Sequence, residues 1–179
     1  MKKLYIILPL ALILCFMVCC QDKEAMAELE EFKAQAAVEE QNKEVARSLF
    51  SAIDKNDFDK LQDLATDDSK LFHPLLPAPM ALEESFQMIK DTYAAFPDWK
   101  HTIEDLVAEG DKVAVKIMQT GTHKGEYEGI PPTDKSVTMP AQVFLVISDG
   151  KVKEFWAMED YLSFFQQLGM ELKPKEGEK

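Results

Sequence analysis

The sequence predicts an α+β domain with helices packed on one face of a curved antiparallel sheet. Three observations carry this. Between residues 42 and 95 apolar side chains recur at spacings of three and four, one face of an amphipathic helix repeated several times. From Trp99 onward they alternate with polar ones, the strand period. The turn signals Gly110-Asp111 and Asp149-Gly150 then join long alternating runs directly, so strand follows strand with no helix between.

The chain of 179 residues opens with Lys2 and Lys3, and Leu4 to Cys20 follows without a charge. Basic residues, a short apolar run and the polar QDKE behind it read as an export signal, because the run only just reaches bilayer-spanning length. All three cysteines, Cys15, Cys19 and Cys20, close this run, and FMVCCQ resembles the lipobox of a bacterial lipoprotein. On that resemblance residues 1–19 are a signal peptide and Cys20 is the acylated residue, with Cys19 as the alternative target. A plain signal peptide and an uncleaved anchor are the other readings. The lipid anchor implies attachment to the cell envelope on the periplasmic side, and multiple acyl chains hold stably where one does not. Gln21 lacks the aspartate associated with inner-membrane retention, which points towards the outer membrane.

Residues 20–41 combine the lipid-attachment cysteine with an Ala-, Glu- and Lys-rich helix whose apolar stripe is thin, Met26, Leu29 and Phe32. A semi-rigid spacer fits this composition, and a partner-binding helix is the alternative. The domain proper is expected over 42–170. Val45, Ala46, Leu49, Phe50 and Ile53 share a helical face that ends at DKND, 54–57; Phe58, Leu61 and Leu64 start a second short helix. Leu82, Phe86, Ile89 and Tyr93 mark a third, which stops before Pro97. Strands are expected at 99–109, 112–121, 135–148 and 151–159. Tyr161 to Leu168 forms a closing helix, capped by Gly169, and residues 171–179 a disordered tail.

Simple alternation assigns faces. A two-residue turn at Gly110-Asp111 sets Leu106 against Val115, Glu104 against Ile117 and Thr102 against Gln119 on the apolar side. Counting from Asp149-Gly150 puts Glu154, Trp156, Met158 and Asp160 on the apolar side of the last strand. Phe144, Val146 and Phe155 fall on the opposite side, too apolar for open solvent, and imply a homodimer contact.

Composition excludes several functions. There are 20 basic against 32 acidic residues, a net charge of −12. Without residues 1–19 the chain keeps 18 basic residues, which makes −14. Nucleic acid is disfavoured as a partner, because phosphate binding needs clustered cations. Residues 21–179 hold no cysteine, so the domain has no internal disulfide and no thiol nucleophile. Three histidines without HExxH spacing imply no metal site, and neither GxSxG nor a phosphate loop occurs.

FPDWKHTIEDLVAEGDKVAVK, TGTHKGEYEGIPPT, SDGKVKEFWAMED and FFQQLG together resemble the SnoaL-like polyketide cyclase family, also called ester cyclases, over about Asn42 to Gly169. The resemblance implies the cone-shaped α+β barrel shared with nuclear transport factor 2 and ketosteroid isomerase, and a homodimer. It also implies cofactor-free acid/base chemistry on a carbonyl compound, as in an aldol cyclase or an isomerase, with an aspartate after the final strand as acid/base. Asp160 matches that position. It also directly precedes a helix, where it would serve as N-cap. Where many relatives carry His or Arg near the end of the penultimate strand and His before the tryptophan, this chain has Val146 and Phe155.

His73 in LFHP matches a histidine at the pocket mouth of the family; its other reading is a loop histidine beside Pro74. Glu104, Gln119 and Glu154 are candidate polar lining groups, Glu154 having hydrogen bonding within the sheet as its other reading; Trp99 and Trp156 read first as core and second, with Met158, as candidate walls. A one-residue slip would send Glu104 and Gln119 to solvent, and His123 in the GTHKG loop reads as structural. The expected ligand is a small hydrophobic molecule in an apolar pocket. A non-catalytic ligand-binding or envelope-interaction lipoprotein is the alternative, since export separates the domain from the cell interior where polyketides are made.

Overall fold

The computed structural model describes the backbone of residues 4–171 and 173 and the side chains of residues 23–171 and 173. The signal peptide, Cys20 and most of the 171–179 tail lie outside the described side chains. Two compact units divide the chain at Val38. In the first, helix α1 (Leu4–Asp54) begins, and Met26, Leu29 and Phe32 are exposed. Among the described residues no helix is long and apolar enough to cross a membrane.

The second unit, Glu39–Lys179, is α+β. After the end of α1 come α2 (Phe58–Leu64), β1 (Ala65–Phe72), β2 (Met80–Ala81), α3 (Leu82–Ala95), β3 (Lys100–Glu109), β4 (Lys112–Thr122), β5 (Ser136–Ser148), β6 (Lys151–Glu159) and α4 (Tyr161–Leu168). The strands form one curved, unclosed sheet in the order β2-β1-β6-β5-β4-β3. Every pairing is antiparallel except β1 with β6.

Local chemistry explains the element ends. Asp57 caps α2 by accepting from the Lys60 amide at 3.0 Å, and Glu84 folds back to the Ala81 amide at 2.7 Å to start α3. Gly169 closes α4 at φ +101°, left-handed backbone that costs glycine little. Asp149 and Gly150 both have positive φ, as the twist of a two-residue hairpin requires. The β3–β4 turn is pinned to α1, since Asn42 Nδ2 donates to the Gly110 carbonyl at 2.8 Å and the Gly110 amide donates to Glu39 at 3.1 Å. In the GTHKG loop, the Lys124 and Gly125 amides both donate to the Ala95 carbonyl. A Cβ at Gly125 would run into the Ala94 carbonyl, so only glycine allows the loop to lie against the end of α3.

The sheet's concave face and the helices enclose two apolar clusters. One joins Ala46, Leu49 and Phe50 of α1 to Val113, Val115 and Ile117 of β4 and Val143 and Leu145 of β5. The other gathers Phe96, Trp99, Phe164 and Leu168. At about 1.5–3 kcal/mol per fully buried large side chain, these clusters hold the domain together without a disulfide.

Two features depart from the sequence expectation. Strand β1 carries the polar sequence ATDDSKLF, which lacks the alternation that announces a strand; its pairing with β6 makes it one. The second departure is a pair of β-bulges. In β3, Ile103 faces Ile117 and Asp105 faces Lys116, leaving Glu104 as the extra residue. In β6, Val152 faces Ile147 and Glu154 faces Val146, leaving Lys153 extra. Each bulge shifts the remainder of its strand by one residue and so reverses which side chains face inward.

Candidate functional site

Between the concave face and the helices lies a cavity of about 440 Å³, lined by residues from α1, α2, β1, α3, β3, β4, β5, β6 and α4. Most of the lining is apolar, including Phe50, Phe86, Trp99, Phe155 and Phe164. Polar side chains interrupt it, and the bulges decide two of them, His101 and Glu159.

The bulge at Lys153 turns Phe155, Ala157 and Glu159 into the cavity. Glu154, Trp156, Met158 and Asp160, expected inside, are not among the lining residues. Trp156 lies on the outer face, stacked on Phe72 with ring centroids 3.9 Å apart, and its Nε1–H donates to Glu154 at 2.8 Å. Met158 is 62% exposed. Asp160 accepts from the Ser163 amide at 3.0 Å as the N-cap of α4. The bulge at Glu104 acts in the same way, placing His101 and Ile103 where Thr102 and Glu104 were expected. Glu104 instead pairs with Lys116 on the outer face at 3.0 Å. Gln119, His73 and Trp99 do line the cavity. Phe155, expected on the outer face beside Phe144, is inside for the same reason as Glu159.

Glu159 is the carboxylate that the sequence reading missed. Its side chain is 15% exposed, and Gln119 Nε2 donates to its Oε1 at 2.7 Å. His73 Nε2 stands 3.3 Å from Oε2, close enough for attraction but misaligned, so that this buried nitrogen has no hydrogen-bond partner. His73 Nδ1 accepts from the Leu75 amide at 3.1 Å, which in the neutral ring puts the proton on Nε2. Tyr161 lies against Glu159 and Tyr127. Burial, reinforced by the charge of Glu159, pushes its phenol far above the ordinary range. Burial likewise pushes Tyr127 up to about 12. Both hydroxyls therefore stay protonated donors at neutral pH.

A second polar group comes from the opposite wall. Asp54, the last residue of α1, accepts from the His101 amide at 3.1 Å and meets His101 Nδ1 at 2.6 Å. Tyr93 Oη donates to the same oxygen at 3.4 Å; burial first, then Asp54, raises its pKa. His123 serves the fold instead. It is fully buried, stacks on Phe96 at 4.9 Å and contacts Thr133 Oγ1 at 3.1 Å through Nδ1, and burial holds its imidazole below the usual value. Among the described residues no group of three or more His, Cys, Asp or Glu could hold a metal ion.

With fold and cavity in view, comparison with known proteins defines the class. Residues 43–168 match the family model for the SnoaL-like polyketide cyclase, and the chain belongs to that family. Among solved structures it is similar to IdmH from Streptomyces antibioticus, provisionally designated a polyketide cyclase. There the identity is 29% and the TM-score 0.67, covering 73% of this chain and 99% of that one. AclR from Streptomyces galilaeus, provisionally designated a hydroxylase, is 25% identical with TM-score 0.65 over 72% of this chain and 95% of that one. A SnoaL-like protein from Jannaschia shares the fold, with TM-score 0.69 at 23% identity, over 75% of this chain and 96% of that one. No curated protein sequence matches the chain.

Substitution tests the capping role of Asp160. Asp160→Asn keeps a comparable cap and should leave the unfolding midpoint nearly unchanged, whereas Asp160→Ala should cost about 0.5–2 kcal/mol in denaturant melts. Equal loss in both variants would show that the charge of the carboxylate at the start of α4, and not the cap hydrogen bond, carries the stabilisation.

Proposed function

We propose that the domain binds a small hydrophobic carbonyl compound in this cavity and exchanges a proton on it without a cofactor. The carboxylate of Glu159 would take and return the proton. The observation that carries this is a carboxylate on the concave face of the sheet, set into a largely apolar lining and held by Gln119 with one oxygen free of that bond. A carboxylate fixed among apolar walls is suited to abstracting hydrogen beside a carbonyl, and the protonated phenol of Tyr161 and the Nε2–H of His73 are donors for the oxygen that gains charge. Such proton transfer contributes about 10²–10⁴-fold in rate.

One observation favours a purely ligand-binding role. Asp160, which the resemblance to the family suggests as the acid/base, is here an exposed cap. Deuterium incorporation into acetophenone in heavy water, followed by NMR with the full-length protein, decides between them. Exchange should exceed that in buffer, and Glu159→Gln should lower it about 100-fold while acetophenone still binds. Unchanged exchange in that variant would sink the proposal, and binding without exchange in the native chain would leave a carrier.

The proposal extends to the chain's setting. Residues 1–19 would be removed, Cys20 acylated, and 20–41 would space the 42–170 domain from the envelope, ahead of the short 171–179 tail. Mass spectrometry of the N-terminal peptide should find a diacylglyceryl Cys20; an unmodified Cys20 behind an intact apolar run would overturn this.

A homodimer through the outer face of the sheet belongs to the same proposal. Phe144, Trp156 and Met158 are 40%, 44% and 62% exposed there, beside Phe72, a patch of the kind that marks contact surfaces. Light scattering should give a two-chain mass that Met158→Glu reduces to one. A monomeric native chain would exclude this interface.

A further inference from the structure

The two histidines that line the cavity are fixed in opposite tautomers. His73 accepts at Nδ1 from the Leu75 amide, so its Nε2 carries hydrogen. His101 is the reverse. Asp54 Oδ1 already accepts from the His101 amide, and an ionised carboxylate only accepts, so the 2.6 Å contact places the hydrogen on His101 Nδ1. In the neutral ring that leaves Nε2 as a bare acceptor, and no described protein group donates to it. The ring itself is fixed, since it packs on Phe50 at 5.6 Å and its side chain is 10% exposed.

The sheet sets this acceptor in a row with the site already described. His101 is the direct cross-strand partner of Gln119, and side chains paired in this way stand about 5 Å apart at Cβ. Gln119 in turn reaches over β5 to Glu159, whose far oxygen faces His73. The concave face thus presents, from β3 towards β1, an acceptor, an amide, a carboxylate and a donor. Everything around them is largely apolar.

We infer that His101, held by Asp54, is a hydroxyl-accepting subsite of the cavity, and that the molecule bound there is a hydrophobic compound bearing an alcohol, enol or phenol group. This rests on the reading of the cavity as a ligand site and adds to it the class of functional group recognised. A hydroxyl hydrogen meets the lone pair of Nε2, and Asp54, by holding the hydrogen on Nδ1, keeps that lone pair exposed, which makes Asp54 a positioning residue. A purely apolar ligand would leave a desolvated acceptor unmet, a loss comparable to that of a buried hydrogen bond.

Two measurements on the full-length protein in detergent test this. Long-range proton–nitrogen correlation spectra of the labelled protein should show the hydrogen of His101 on Nδ1 and that of His73 on Nε2, with the preference at His101 lost in Asp54→Asn. Hydrogen on Nε2 of His101 would overturn the inference. In calorimetry, thymol should bind about tenfold more tightly than para-cymene, which has the same skeleton without the hydroxyl. His101→Asn, whose amide keeps the bond to Asp54 but has nothing at the Nε2 position, should erase that preference and leave para-cymene unaffected. If Glu159→Gln erases it instead, the hydroxyl is read by Glu159 and the His101 subsite is wrong, while the proposed function stands. Failure of both compounds to bind would remove the ligand site and the inference together.

Discussion

One additional residue in the last long strand governs what the cavity can do. Because Lys153 has no partner on β5, the strand that begins with Val152 inward continues with Phe155, Ala157 and Glu159 inward. Remove that bulge and the alternation would bring Glu154, Trp156 and Met158 inside while sending Glu159 out. The cost of such a slip would be high, since a tryptophan and two long side chains would have to fit where Phe155 and Ala157 now pack against β5 and α1. A closely packed interior does not absorb such volume changes. The acid at the cavity wall is thus fixed by packing along the whole strand.

The same principle operates on the other edge. The bulge at Glu104 brings His101 to the concave face, and the end of α1 supplies the carboxylate that orients it. The bulges in β3 and β6 therefore frame the polar row from both sides. Bulges gather at sites where a side chain must be re-aimed, and here both fall where two charged residues adjoin, Glu104-Asp105 and Lys153-Glu154. Neither member of such a pair is at home in an apolar interior, and the extra residue lets both stay outside.

Membership of the SnoaL-like family accounts for the scaffold, and it leaves the chemistry open, because function belongs to the site and not to the fold. In this chain the polar side chains of the cavity include Glu159, Gln119, His73 and His101, with Tyr93, Tyr127 and Tyr161 beside them. Asp160, which the resemblance singled out, stands one residue beyond Glu159 and caps α4. The apolar outer face, where Trp156 stacks on Phe72, is the other consequence of the same register.

Much of this architecture was legible in the residue order. Helical and alternating periods located α2, α3, β3, β4, β5, β6 and α4, and the hairpins followed from Gly110 and Asp149-Gly150, because these signals act over a few neighbouring residues. Gln119 keeps the face that alternation assigns it, because no bulge separates it from its turn; His73, suggested by the family resemblance alone, and Trp99, read first as core, also line the cavity. Strand β1 was invisible, since its polar sequence is held by the neighbouring β6 and not by its own pattern. The faces of Glu159, Asp160, His101 and Glu104 likewise depended on tertiary structure. A bulge exists only relative to a partner strand, so a count along one chain cannot register it. The adjoining charges were its local trace; the packing of the sheet against the helices made the choice.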